Sequence, residues 1–149
     1  MGYRSYVEIR IAGPRDVVMG AIAGAVLQSP SQIHIQEALK AYRVIQHPTR
    51  PEQVIAGFTG EHVKWYADYP DVQAIESIWR ACEGFEGVDT AFVRIGEENE
   101  DIETHYSGDD PYDLAVAVRS IEACSLEGVD IRETPSSKID SSKTEGESG

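Results

Sequence analysis

"YPDVQAIESIWRACEGFEGVDTAFVRIGEENEDIETHY", Tyr69–Tyr106, decides the fold, because three kinds of element follow one another in it with clear boundaries. Pro70 suits the first position of a helix and Asp71 its positive end. Val72, Ile75, Ile78, Trp79, Cys82 and Phe85 recur at helical spacing and form a buried stripe, and Gly84 and Gly87 end the run. Val88–Ile95 then reads as a strand, with Phe92, Val93 and Ile95 as its apolar residues. Gly96–Asn99 turns the chain, and Asp101–Tyr106 returns as the second arm of a hairpin. Alternation places Ile102, Thr104 and Tyr106 on one face and Asp101, Glu103 and His105 on the other, so the expectation is an apolar face towards a helix and an acidic face towards water.

Working outward, Tyr3–Ile11 alternates as a half-buried strand, with Tyr3, Ser5, Val7, Ile9 and Ile11 on one side and Arg4, Tyr6, Glu8 and Arg10 on the other. Gly13-Pro14 ends it and opens a helix striped by Val17, Val18, Ala21, Ile22, Ala25 and Val26. Residues 32–47 admit two readings: Ile33, Ile35, Val44 and Ile45 suggest extended chain, Gln36–Tyr42 suggests helix. Gln53–Phe58 and His62–Tyr66 read as one bulged strand or a tight pair, and Leu114–Ile121 as a strand or a short helix. The order predicts the α+β class: two main helices packed on one face of a mostly antiparallel sheet, in a ferredoxin-like or related sandwich. Residues 1–132 form a single domain in this reading, and the polar stretch 133–149 is a disordered tail.

The chain has 149 residues and a formal net charge of −13, unevenly spread. Residues 1–60 hold six Lys/Arg and four Asp/Glu, a net of +2; residues 61–149 hold seven and 22, a net of −15. Such a field repels nucleic acid and anionic membrane and attracts basic partners, including proteins that themselves bind nucleic acid. No apolar run approaches the roughly 20 residues of a membrane span. The N-terminus shows no signal peptide, which points to a cytoplasmic location. Cys82 and Cys124 lie far apart and read as small buried hydrophobes.

No motif announces catalysis. The four histidines match no metal-ligand spacing, the acidic stretch lacks the EF-hand pattern, and neither a nucleophile elbow nor a phosphate loop is present. The sequence therefore points away from an enzyme and assigns no catalytic residue, cofactor or metal. What it does show is concentration of charge: Gly96–Asp113 carries eight carboxylates and no Lys or Arg. Glu97, Glu98, Glu100, Asp101 and Glu103 sit at the turn and along the strand; Asp109, Asp110 and Asp113 sit at the far end. A row of carboxylates can occupy a cleft that otherwise holds a phosphate backbone. Trp65, Tyr66 and Tyr69, just before the helix, supply either core rings or the aromatic centre of an interface with a charged rim.

"VKWYADYPDVQAIESIW" (Val63–Trp79) and "FVRIGEENEDIE" (Phe92–Glu103) resemble small uncharacterised accessory proteins of bacteriophages and mobile elements, over about residues 61–122. There, a V-K-W-Y segment leads into a Pro-Asp helix and an F-x-R-I-G-E strand into an acidic hairpin. The resemblance implies a ferredoxin-like α+β domain in a bacterial host cytoplasm. It also implies an inhibitor of a host defence protein, such as a CRISPR or restriction effector; together with the acidic row, the expectation is a protein that mimics nucleic acid and does not bind it. The alternative expectation is a sensor or sponge for a small molecule or nucleotide, resting on Arg4, Arg10, Arg15, Lys40, Arg43 and Arg50. A metal-dependent hydrolase is a third reading and would require a bound metal. An exposed sheet edge leaves a homodimer open.

Overall fold

The computed structural model describes residues 2–98, 100–117 and 121–132. Strand β1 (Ser5–Pro14) leads into helices α1 (Arg15–Gln28) and α2 (Gln32–Ala41). Strands β2 (Arg43–Gln46) and β3 (Gln53–Val63) follow, then α3 (Pro70–Ala81) and the hairpin β4 (Asp89–Ile95) and β5 (Ile102–Ser107). A 3-10 turn (Pro111–Asp113) and two short strands, β6 (Ala115–Ala117) and β7 (Ile121–Ala123), complete the order. The large sheet runs β2-β3-β1-β4-β5, with every neighbouring pair antiparallel. Its core, β1-α1-β2-β3-α3-β4 in the spatial order β4-β1-β3-β2, is the double split-βαβ arrangement of ferredoxin-like domains. Helix α2 is inserted into the first crossover and β5 is added beside β4. The proposed tail, 133–149, lies outside the described residues.

All three helices cover one face. Val18 and Ile22 of α1, Ile35 and Ala38 of α2, and Ala74, Ile78 and Trp79 of α3 meet Val7, Ile9, Ile11, Val54, Phe58 and Phe92 of the sheet. The third helix resolves the ambiguity of residues 32–47. Ser31 caps α2 by accepting a hydrogen bond from the His34 backbone N–H, and Tyr42 closes the stripe begun by Ile35 and Ala38. The Tyr42 hydroxyl donates to Ile75 O of α3 at 2.7 Å, tying the two helices together. Gln53–Val63 is one bulged strand, not a tight pair. Its register against β1 slips by one residue between Ser5↔Val63 and Val7↔Gly60, and His62 takes a φ of 55°.

The opposite face is also covered, which corrects two expectations. Ala12, Ile45, Ile55, Ala91 and Val93 pack under Leu114, Ala115 and Ile121, with Tyr6, Tyr106 and Leu126 around them. Gly57 permits this close approach: a Cβ there would lie 2.8 Å from both Ile9 O and Leu126 Cδ1. Strand β1 is consequently buried on both sides, not half-buried. The hairpin is likewise turned over relative to the expectation. Glu103 and His105 share the helix face with Arg94 and Phe92, while Ile102, Thr104 and Tyr106 share the other with Ile95, Val93 and Ala91. With layers on both faces, apolar residues on one arm do not by themselves indicate the helix side. Among the described residues no helix is long and apolar enough to cross a membrane.

Candidate interaction surface

The hairpin sets the geometry of the acidic residues. Its turn closes by a hydrogen bond from Gly96 N–H to Asp101 O (2.8 Å) and another from Asp101 N–H to Glu98 O (3.0 Å). The register then places Arg94 opposite Glu103. The Arg94 guanidinium reaches Asp101 Oδ1 at 2.7 Å and Oδ2 at 3.1 Å, Glu103 Oε1 at 3.1 Å and Ser5 Oγ at 3.1 Å. Tyr3 donates its hydroxyl to Asp101 Oδ2 at 2.7 Å, and His105 Nε2 lies 2.9 Å from Glu103 Oε2. Arg94 and then Tyr3 hold the Asp101 carboxyl below the ordinary carboxylate range. Burial works against the Glu103 carboxylate, yet His105 and Arg94 together bring its pKa below the usual value. The middle of the predicted acidic row is thus partly compensated within the fold, one guanidinium serving two carboxylates.

The far end is different. Asp109, Asp110 and Asp113 are exposed around the 3-10 turn, and the register brings Asp89, at the start of β4, to the same place. Asp89 Oδ1 accepts the backbone N–H of Asp109 at 2.8 Å and of Asp110 at 3.4 Å. Gly108, at φ 99°, allows the chain to pass so close, since a side chain there would collide with Asp89. Among the described residues none of these four carboxylates forms an ion pair. The neighbouring Asp113 charge raises the Asp110 pKa above its ordinary value, with Asp89 adding to it and Arg50 opposing. This end stands about 17–20 Å from the Glu97–Glu100 turn, the length of a six-residue strand. The predicted acidic surface is therefore two acidic ends joined by a middle that Arg94 partly compensates.

The aromatic group divides as well. Trp65 is half-buried and packs on the helix-side core, its ring 5.8 Å from Phe58 and 6.2 Å from Phe92. Tyr66 and Tyr69 meet edge to face at 5.0 Å, and Tyr69 is exposed. Tyr3 links this pair to the turn: its N–H donates to Tyr66 Oη at 2.6 Å, while its own hydroxyl accepts from Glu98 N–H at 3.0 Å. Glu97 accepts the Arg4 N–H at 2.7 Å, and Glu98 and Glu100 are exposed. Tyr66, Tyr69, Glu97, Glu98 and Asp101 consequently share one end of the sheet; Asp109, Asp110 and Asp113 hold the other.

Sequence reading missed Arg94 as the compensating cation, Asp89 as a member of the far cluster, and the buried pair of β1. Folding the hairpin about its turn would have set Arg94 opposite Glu103. In the buried pair, Arg10 lies 2.8 Å from Glu8 with both side chains 5% exposed. Thr59 and Tyr6 donate to Glu8 at 2.7 and 2.8 Å, and Arg10 donates to Cys124 O at 3.0 Å. Proximity to Glu8 and burial push the Tyr6 hydroxyl up to about 12, burial being the larger cause. Arg10 is therefore unavailable to a ligand.

The chemistry of the remaining groups is quiet. Burial pushes the Cys82 thiol up to about 12 and raises that of Cys124, so neither is a thiolate near neutrality. Cys82 is buried as expected and Cys124 only partly. Among the described residues no three His, Cys, Asp or Glu side chains are placed to hold one metal ion. No protein-family model matches the chain, and no curated protein or solved structure matches it either.

Proposed function

We propose that this domain acts by stoichiometric binding to a basic, nucleic-acid-handling protein, presenting carboxylates where that protein otherwise holds phosphates. The observation that carries this reading is the far acidic end, where Asp89, Asp109, Asp110 and Asp113 sit together without an ion-paired cation among the described residues. Mutual repulsion there is a local cost with no return inside the fold, and departures of that kind gather at functional sites. A Lys/Arg-lined groove would relieve it on contact. The turn end, with Glu97, Glu98 and Glu100 beside Tyr66 and Tyr69, supplies a second contact with an aromatic element. The resemblance to bacteriophage accessory proteins makes a host defence effector, of the CRISPR or restriction kind, the first class of target to test.

The test is capture of partners from bacterial lysate by the tagged protein, with washes of rising salt, alongside a variant carrying Asp109→Asn, Asp110→Asn and Asp113→Asn. A nucleic-acid-binding protein that is retained at low salt, released at high salt, displaced by duplex DNA and lost with the triple variant is the expected result. Equal capture by the triple variant, or a captured protein indifferent to salt and DNA, removes the reading.

A second reading, small-ligand binding, is favoured by one feature. A cleft of about 420 Å³ is bordered by Arg4, His62, Lys64, Trp65, Tyr69 and Asp71, so two cations and two aromatic rings meet there beside one carboxylate. A rise in melting temperature with cyclic nucleotides supports it, and an unchanged melting curve at millimolar nucleotide counts against it.

A further inference from the structure

The two edges of the large sheet differ. Strand β2 is partly closed by the chain itself: Asp130 bridges Ile45, and Ile131 N–H donates to Val44 O at 2.7 Å. Strand β5 is the opposite edge, and among the described residues no strand pairs with its outer side. The Gly96 N–H bond to Asp101 O, continued through the regular register, gives the odd-numbered residues of β5 to β4. The main-chain N–H and C=O of Thr104 and Tyr106, and the C=O of Ile102, therefore point outward. An open row of this kind is a template for a further strand.

The side chains of β5 indicate which strand it fits. Laid antiparallel on itself about a two-fold axis at Thr104, Ile102–Tyr106 is self-complementary. Glu103 falls opposite the second copy's His105 and His105 opposite its Glu103, on the helix face, where the Glu103 and His105 side chains are 43% and 39% exposed. On the other face, Ile102, itself 45% exposed, falls opposite the second copy's Tyr106. Thr104 meets Thr104. A carboxylate facing an imidazole, a β-branched residue facing an aromatic ring and a threonine pair are each favourable cross-strand partners. The outward main-chain groups are those of the even-numbered residues, which is the set this register requires to form hydrogen-bonded pairs. Shifting the register by one residue would lose both the outward hydrogen bonds and the shared faces.

We infer that β5 is a homodimerisation edge, on which two copies join their sheets into one ten-stranded sheet with both helix layers on the same side, in the register Glu103↔His105, Thr104↔Thr104 and Ile102↔Tyr106. The association is isologous and small, in the class of weak, reversible contacts. It carries a built-in opposition: the same register sets Glu98 and Glu100 of one copy beside the Gly108–Asp110 stretch of the other. Added salt screens that repulsion, so the dimer tightens as ionic strength rises. This is opposite in sign to the binding of a basic partner, and the inference stands independently of that reading.

Sedimentation velocity on the full chain, over concentrations from about 1 to 500 µM and at low and high salt, tests it, this range bracketing the weak class. Thr104 is exposed, so Thr104→Lys and Thr104→Glu leave the fold intact, as circular dichroism and thermal melting will check. Each variant alone sets like charges opposite one another at the two-fold. The expected result is a concentration-dependent dimer of twice the 16.4 kDa chain mass, weakened at least tenfold in each single variant and restored when the two variants are mixed. A wild-type monomer throughout overturns the inference. A dimer untouched by both variants, or two variants that do not restore each other, overturns it equally, since another surface or register would then be responsible.

Discussion

Asp101 and Asp110 lie nine positions apart in one acidic stretch and live under opposite electrostatics. Asp101, with Glu103, is gripped by Arg94; Asp110 stands against Asp113 and Asp89. A third setting, Glu8 against Arg10, is gripped and also removed from water. The difference teaches that formal charge is a poor guide to a working surface. What distinguishes a structural carboxylate from one offered to a partner is whether the fold has already supplied its counter-charge.

Removing the counter-charge should hurt in proportion to burial. The largest effect is expected for Arg10→Ala, which leaves Glu8 charged and enclosed; urea unfolding should show a loss of about 3–5 kcal/mol. A loss under 1 kcal/mol would mean that water reaches the β1 pair and that burial does not separate it from the surface clusters. Arg94→Ala comes next, at about 1–2 kcal/mol, because its partners are partly exposed.

Arg94→Ala also carries a pH signature. Asp101 and Glu103 have lowered pKa values when folded, so their contribution is present above the unfolded carboxylate range and is lost as pH falls from that range through the folded values. The variant should therefore lose less stability than wild type on acidification through that window. Parallel acid-unfolding curves would break the comparison.

The smallest effect on stability belongs to the far end. Combining Asp109→Asn, Asp110→Asn and Asp113→Asn should leave stability nearly unchanged in urea unfolding, with any change at neutral pH a gain. The sign follows from Asp110, whose raised pKa makes its contribution greatest in acid and lost as pH rises through the folded value. The gain should vanish near pH 3, below the ordinary carboxylate range. A marked destabilisation at neutral pH would show that these acids cap structure and are not held in reserve.

Much of the architecture was legible. Pro70, Asp71 and the stripe from Val72 to Cys82 mark α3, and Val88–Tyr106 reads as a hairpin because its turn residues are unmistakable. What was not legible depended on layers. Alternation sorts Glu103 and His105 from Ile102 and Tyr106, but it does not say which set meets the helices when both faces are covered. Helix α2 was obscured because Ile33 and Ile35 alternate like a strand; Ser31, as its cap, was the deciding residue. The acidic surface was legible as composition and not as a site, since Asp89 joins it from the other end of the hairpin and Arg94 withdraws two members.

The hydrogen bond from Arg10 to Cys124 O spans 114 positions of the chain. It fixes the order in which a nascent chain can complete itself. Strand β1 leaves the ribosome before its partners β3 and β4, and the segment that seals Glu8 and Arg10 follows later still. Until then a charged pair faces an unfinished wall, and the earlier elements have no low-energy stopping point short of the whole domain. Such long-range closure slows folding, and it couples maturation of the central strand to synthesis of the segment around Cys124.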